Sequence, residues 1–270
     1  MKHAPIRIWP SETATLPLGG QSLLPSGLPW SWDRLVAGHM NMSSRKVVMQ
    51  GMSRVMTYDS RSPQLLARVV AAGGLAVIPT DTVYGIVCNP CNDAAINRLF
   101  QAKHRPRTKS IQVLLDGVEA MDKLDLRLPA PLNRLADALL PGPFSPIALV
   151  GQSCPLRTPR MEPDGLTQAV RVPDSPICRA LLQVTGPLAA SSANRSGNPS
   201  VETVQQAKAE LGDSVDLYLD GGPTPGSVAS TVVEADKTDP DGIHVLRQGV
   251  IGEARVRALL SDQTDVGEGQ

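Results

Sequence analysis

Pro79-Thr80-Asp81-Thr82-Val83-Tyr84-Gly85 follows Leu75-Ala76-Val77-Ile78, and these two stretches decide how the chain is read. The apolar run, preceded by Gly73-Gly74, predicts a short buried strand. Proline ends it, because proline cannot donate to a strand ladder. Two threonines, an aspartate and a tyrosine then crowd the strand end. Open α/β sheets bind ligands beyond the carboxyl ends of their strands, so these hydroxyls read as a pocket wall. A polar turn between two strands fits the same residues.

Outward from this point the text is regular. Ser62-Pro63 predicts a helix start, serine as cap and proline in the first turn. Leu65, Leu66, Val69 and Val70 form its apolar face, and Gly73-Gly74 stops it. Val83–Cys88 predicts a strand, and Asn92-Asp93 caps a helix carrying Ile96, Leu99 and Phe100. Strands follow at 111–115, 145–150, 168–172, 188–190, 217–220, 230–234 and 244–246. Helices are expected at 118–124, 131–140, 175–184, 203–211 and 253–260, and residues 151–166 read as an exposed Pro- and Gly-rich loop. Short buried strands alternating with helices argue one α/β domain from 58 to 261 without an internal repeat.

Composition bounds the partners. The chain has 270 residues, 41% of them hydrophobic, and a formal net charge of zero. Whole-chain charge therefore announces neither nucleic acid nor membrane, and no apolar run reaches the roughly 18 residues of a membrane span. Four cysteines in this length make no disulfide framework, so a reducing, cytoplasmic setting is expected. Residues 1–57 differ from the rest: they hold all three tryptophans, six of the eight methionines, and only Glu12 and Asp33 as acids against six Lys or Arg. They read as a poorly ordered extension, with an organelle-targeting peptide as the alternative. The composition shift also suggests a natural start at Met49, Met52 or Met56. Residues 262–270 read as a flexible tail.

Two further stretches could carry chemistry. Lys103-His104-Arg105-Pro106-Arg107-Thr108-Lys109 puts four cations in seven residues. Arginine forks match phosphate and carboxylate oxygens and lysine adds a point charge, so the stretch suits a triphosphate clamp, a tRNA-facing patch or a solvated basic surface. Ser191-Ser192-Ala193-Asn194-Arg195-Ser196-Gly197-Asn198-Pro199-Ser200 follows a buried strand directly. Its small hydroxyl and amide side chains let a ligand approach the backbone and fix its polar atoms; the alternative is a long turn capping the next helix. Cys88-Asn89-Pro90-Cys91 lacks the second pair that zinc needs, and no metal ligands are assigned. A Gly-x-Ser-x-Gly elbow, a Walker loop and a Gly-x-Gly-x-x-Gly are all absent from the sequence.

Together these blocks resemble the YrdC/Sua5 family of threonylcarbamoyl-AMP synthases. The matching residues are 79–85, Ala-Lys-His-Arg (102–105), Leu-Pro-Gly-Pro (140–143), Ala-Val-Arg-Val-Pro (169–173), 191–200, Asp-Gly-Gly-Pro (220–223), Ser-Thr-Val-Val (230–233) and Leu-Arg-Gln-Gly (246–249). Their order runs through 58–257, as in the family's short form with a single YrdC-like domain. The resemblance implies a twisted mixed α/β sheet with flanking helices and a positive cavity. It implies joining L-threonine, bicarbonate and ATP, with magnesium accompanying ATP, into threonylcarbamoyl-AMP and pyrophosphate. A downstream tRNA threonylcarbamoyltransferase then modifies adenosine 37 (t6A), and a weak tRNA contact is a further expectation.

By the same resemblance, Thr82, Arg171, the backbone at Ala190 and Ser230 would hold L-threonine, Arg171 through its carboxylate. Lys103, Arg105 and Lys109 would face the ATP phosphates, the first two as catalytic cations, and Thr167, Ser192, Asn194, Ser200 and Arg247 would complete the nucleotide site. Truncating Arg105 or Arg171 is expected to abolish activity in a protein that stays folded. The chain departs from the family where Ser110-Ile111 replaces Pro-Leu, where Leu114 stands in place of a threonine-touching histidine, at Ala229, and at Gln248. A tRNA- or double-stranded-RNA-binding module without synthase activity is the main alternative, and a carbamoyl transferase with another acceptor is a third reading. Few aromatics are present to stack bases, which weighs against RNA.

Overall fold

Alternation along the strands decides which way each side chain faces, and the computed structural model, which describes residues 53–261, follows it closely. In chain order the elements are β1 (Arg54–Thr57), α1 (Ser62–Ala71), β2 (Ala76–Ile78), β3 (Gly85–Cys88), α2 (Asp93–Ala102), β4 (Gln112–Leu114), α3 (Ala120–Lys123), β5 (Leu126–Arg127) and α4 (Leu132–Leu139). They continue as β6 (Phe144–Val150), β7 (Arg160–Glu162), β8 (Gly165–Arg171), α5 (Pro176–Thr185), β9 (Leu188–Ser192), α6 (Val204–Leu211), β10 (Leu217–Asp220), β11 (Thr231–Ala235), β12 (Ile243–Arg247) and α7 (Glu253–Ser261).

The strands form one mixed sheet in the order β1-β10-β2-β3-β9-β4-β8-β6-β11-β12, with β5 added beside β6 and β7 beside β8. Leu75, Val77, Ile86, Cys88 and Ala189 pack under α2 and α6. Their neighbours Ala76, Ile78, Val87, Leu188 and Ala190 face the other way, under α1 and α5. That two-residue period is what a sheet covered on both faces requires. At the far edge Phe144, Val233 and Ile243 pack against Leu132 and Leu135 of α4 and Val256 and Leu260 of α7.

Capping explains the helix starts. Asn92 accepts from the Ala95 amide and Ser175 from the Cys178 amide, each satisfying an orphan N–H of the first turn. Thr203 and Gln206 complete a reciprocal capping box on α6. Ser62 does not cap α1: Arg61 holds that position, and the Ser62 hydroxyl instead accepts from the Asp59 amide.

Several expectations are corrected. Arg54–Thr57, left outside the domain by a boundary at 58, is a strand, because it pairs in parallel with Leu217–Asp220 at the sheet edge. Met56 lies inside that strand. The stretch 151–166 is not all loop: Arg160–Glu162 turns back on β8 as an antiparallel arm, and Gly165 supplies its positive-φ turn residue. Ser191 and Ser192 belong to β9 rather than to a turn, since they pair with Ile86 and Gly85. Apart from residues 53–57, the extension expected over 1–57 lies outside the described residues, as does the tail over 262–270.

Candidate active site

Side chains directly opposite one another in a ladder share a face, and registers across five strands put several polar residues on the face that carries α1 and α5. Gln112 pairs with Ala190 and Leu114 with Arg171. Ile147 opposes Ala169, and Ser192 opposes Gly85. β4, β8 and β9 each contribute residues two apart, and the turn before β3, the basic loop after α2 and the β11–β12 ribbon close the space above them. The result is a cavity of about 260 Å³.

Thr82, Arg105, Arg171, Ala190, Ser192, Ser230 and Arg247, seven residues expected at the site from distant parts of the sequence, line this one cavity. Its charged lining residues are Arg105, Arg171 and Arg247. The cavity lies over the sheet face, not beyond the carboxyl ends of parallel strands, because β2 and β3 are antiparallel and the turn 79–84 joins them across the top. That stretch is therefore both a turn between strands and a pocket wall.

Arg171 is 2% exposed, and all three of its nitrogens are anchored. Its Nε donates to the Gly142 carbonyl (3.1 Å), Nη1 to Thr82 Oγ1 (2.9 Å) and Nη2 to Asp81 Oδ1 (2.6 Å). Two of its five N–H groups remain. The Leu-Pro-Gly-Pro motif thus sets the height of the guanidinium from below. Thr80 Oγ1 donates to the Val83 carbonyl (2.6 Å), so its contact with Thr82 Oγ1 (3.1 Å) takes the Thr82 proton. With Arg171 donating to it as well, Thr82 presents a lone pair to the cavity.

Ser230 is held similarly. Arg247 grips its carbonyl with Nε (3.1 Å) and Nη2 (2.9 Å), and Nη2 also reaches its hydroxyl (3.3 Å). Arg247 is exposed over much of its length, but its guanidinium end is in the cavity wall; desolvation there, then repulsion from Arg171 and Arg105, lowers its pKa. Desolvation lowers Arg105 as well. Arg105 donates Nη2 to the Ser110 carbonyl (2.7 Å), while its Nε is buried without a partner among the described residues. Cations that lose solvent and repel one another gain from an anion placed between them.

The remaining expected residues stand elsewhere. Lys103 is 1% exposed and its ammonium donates to the main-chain carbonyls of Ser192 and Asn194 instead of facing the cavity. His104, in the left-handed region at φ 49°, turns the chain so that Lys103 points inward while Arg105 reaches the cavity. Burial, with Arg105 adding to it and Glu210 opposing, pushes Lys103 down to about 7. Asn194 donates Nδ2 to the carbonyls of Arg195 and Asn198, bracing the serine-rich loop. Thr167 lines a smaller neighbouring hollow with Ser110, Ala169 and Leu246. Lys109 is exposed, and neither it nor Ser200 lines the cavity. Among the described residues, no three His, Cys, Asp or Glu side chains gather to hold a metal, and no helix is long and apolar enough to cross a membrane.

Asp81, Gln112 and Ser145 were not expected at the site from the sequence, yet each bonds a lining residue or lines the cavity itself. The sequence signal for Asp81 is its place inside the 79–85 motif; Ser145 directly follows Pro143-Phe144. The motifs that do not touch the cavity build its frame. Tyr84 donates to the Gly222 carbonyl (2.6 Å) and accepts from the Gly221 amide (3.1 Å), tying the first motif to Asp-Gly-Gly-Pro. Thr231 accepts from the amides of Gly249 and Ile251, stapling the turn after Arg247 beneath Ser230.

Comparison with known proteins places this architecture. The family model for Sua5, YciO and YrdC proteins, described as "Telomere recombination", matches residues 68–249. A Mycobacterium tuberculosis (strain H37Rv) protein provisionally named for threonylcarbamoyl-AMP synthesis is 34% identical over 211 residues, 76% of this chain and 94% of that one. The Bacillus subtilis threonylcarbamoyl-AMP synthase is 32% identical over 222 residues, 77% of this chain and 62% of its own. Among solved structures, Pyrococcus abyssi Sua5 complexed with L-threonine gives a TM-score of 0.66 at 26% identity, over 77% of this chain and 60% of that chain. Escherichia coli YciO gives 0.66 at 25% identity, over 76% of this chain and 99% of that one.

Proposed function

The chain belongs to the Sua5/YciO/YrdC family, and on that premise we propose that it is an L-threonylcarbamoyladenylate synthase, a nucleotidyltransferase acting on L-threonine, bicarbonate and ATP. The observation that carries the reading is the convergence of Arg105, Arg171 and Arg247 with Thr82 and Ser230 in one cavity. Guanidinium groups suit carboxylate and phosphate oxygens, and the oriented hydroxyls suit a small amino acid. The names of the relatives and the L-threonine held by Pyrococcus abyssi Sua5 support the same substrates.

In this reading the two free N–H groups of Arg171 take the threonine carboxylate, and the Thr82 lone pair accepts from the substrate's donors. The threonine amine and bicarbonate condense to a carbamate with loss of water. A carbamate oxygen then attacks the α-phosphorus of ATP, the bond from that phosphorus to the bridging oxygen breaks, and pyrophosphate leaves. Arg105 and Arg247 offset the charge that moves onto the leaving group. No side chain forms a covalent intermediate; the rate comes from positioning and charge neutralisation. Lys103 contributes by fixing the carbonyls of Ser192 and Asn194, which shape the nucleotide side of the cavity. Magnesium accompanies ATP as part of the substrate; the cavity lining offers it no carboxylate, so no step is assigned to a protein-held ion. The product passes to a tRNA threonylcarbamoyltransferase for t6A formation.

An RNA-binding module fits less well, since no aromatic side chain lines the cavity to stack a base. The test is pyrophosphate release by the purified protein. Release that requires both L-threonine and bicarbonate supports the proposal; tight tRNA binding without turnover overturns it.

A further inference from the structure

Gln112 and Leu114 stand two apart on β4 and both line the cavity, so the strand offers it one amide and one apolar side chain. The amide is oriented by a chain of hydroxyls. Ser145 Oγ donates to Gln112 Oε1 at 2.9 Å. A serine hydroxyl has a single proton, so the 2.8 Å contact between Ser145 and Ser230 uses the Ser230 proton. Ser230 also receives Arg247 Nη2. Every hydroxyl proton of the chain therefore points away from the cavity. Ser230 shows the cavity one lone pair. Gln112 shows it an amide nitrogen with two N–H groups and no partner among the described residues.

The geometry points to Gln112 as a specificity residue that, with Ser230, reads the β-hydroxyl of the amino-acid substrate. This rests on the synthase reading above and names the part of the site that tells threonine from its isosteres. A hydroxyl is both donor and acceptor, and this corner presents one acceptor and one donor side by side. The Ser230 lone pair takes the substrate's O–H, and the Gln112 N–H groups supply its oxygen. Leu114 and Ile147 furnish apolar surface for the adjoining methyl group. Ser145 is a positioning residue: it touches no substrate, and it fixes which face of the amide and which side of the Ser230 hydroxyl the cavity sees. An amino acid of the same shape without the hydroxyl leaves both groups unpaired, and sites that bond a substrate hydroxyl reject such analogues strongly.

The test compares L-threonine with L-valine, its near-isostere, on the wild-type protein, Gln112→Met and Ser145→Ala. Both amino-acid-dependent pyrophosphate release and calorimetric binding are read, with a thermal melt to confirm folding. Gln112→Met is expected to raise the KM and Kd for L-threonine by about tenfold, the order of one to two uncharged hydrogen bonds. The constants for L-valine move far less, and the KM for ATP does not move. Ser145→Ala lowers the threonine-over-valine ratio by a smaller factor, which a purely structural serine would not do. An unchanged ratio in a folded Gln112→Met protein overturns the inference, as does wild-type protein that binds the two amino acids equally or binds neither. A wild-type protein that releases no pyrophosphate, yet prefers L-threonine in calorimetry and loses that preference with Gln112→Met, sinks the synthase reading and upholds the role of Gln112.

Discussion

Arg171 Nη2 and Asp81 Oδ1 lie 2.6 Å apart, with 2% and 10% of their side chains exposed. The pair joins β8 to the turn before β3 across 90 residues of sequence. A buried pair contributes little over apolar residues of the same shape, but removing one partner leaves an uncompensated charge. Asp81→Ala is therefore expected to lower stability by about 3–5 kcal/mol, measured by urea denaturation. The double variant Asp81→Ala/Arg171→Leu should lose less than the sum of the single changes. The same pairing revises the expectation for Arg171→Ala: it costs stability as well as activity, since Asp81 Oδ2 already has no partner among the described residues.

Arg105 is the cleaner probe of the chemistry. It is half-buried, and the bond its side chain makes in the structure is to the Ser110 carbonyl. Arg105→Ala should leave the urea midpoint nearly unchanged and cut pyrophosphate release on the order of 10²–10³-fold, as when one transition-state donor is lost. Steady-state kinetics beside a melting curve decide it. Wild-type rates would remove Arg105 from the site.

Lys103 sets a pH dependence. Its ammonium sits at about 7 in the fold against an ordinary 10.5. Between those values the unfolded chain binds more protons than the folded one, so stability rises with pH through that window. The neutral amine keeps two N–H groups for the carbonyls of Ser192 and Asn194, so the contacts survive deprotonation. The stability of the wild-type protein relative to Lys103→Met should increase from pH 7 towards pH 10 in urea titrations. A flat difference would show that the two carbonyls hold the charged form as well as water does.

Gly249 tests the frame. A Cβ there would lie 2.2 Å from the Ala229 carbonyl oxygen and 2.4 Å from the Ser230 carbonyl carbon. Main chain cannot yield as a flexible side-chain end can, so Gly249→Ala must displace Ser230 and with it the Arg247 guanidinium. The expected result is a larger rise in the KM for L-threonine than a surface Gly→Ala change such as Gly226→Ala, where a Cβ meets open space.

Helices were legible where apolar residues recur on one face, as at Leu65, Leu66, Val69 and Val70. β1 was not, because Arg-Val-Met-Thr is an exposed edge whose partner lies some 160 residues away, and no local pattern reports such a pairing. Thr82, Arg171 and Ser230 were legible as letters in motifs. Their supports were less so: the Gly142 carbonyl that seats Arg171 is main chain, and main chain has no letter of its own. Lys103 shows the same limit from the other side. Its charge is plain in the sequence, but whether it points into the cavity or into the serine-rich loop is settled by the left-handed turn at His104.

The central claim is that this cavity joins a carbamoylated threonine to the α-phosphate of ATP. Incubating the protein with ATP, L-threonine and carbon-13 bicarbonate, and reading the adenylate by mass spectrometry, tests it most directly. The account predicts a threonylcarbamoyl-adenylate that carries the labelled carbon and disappears with Arg105→Ala. A plain threonyl-adenylate without the label, or no adenylate at all, would contradict it.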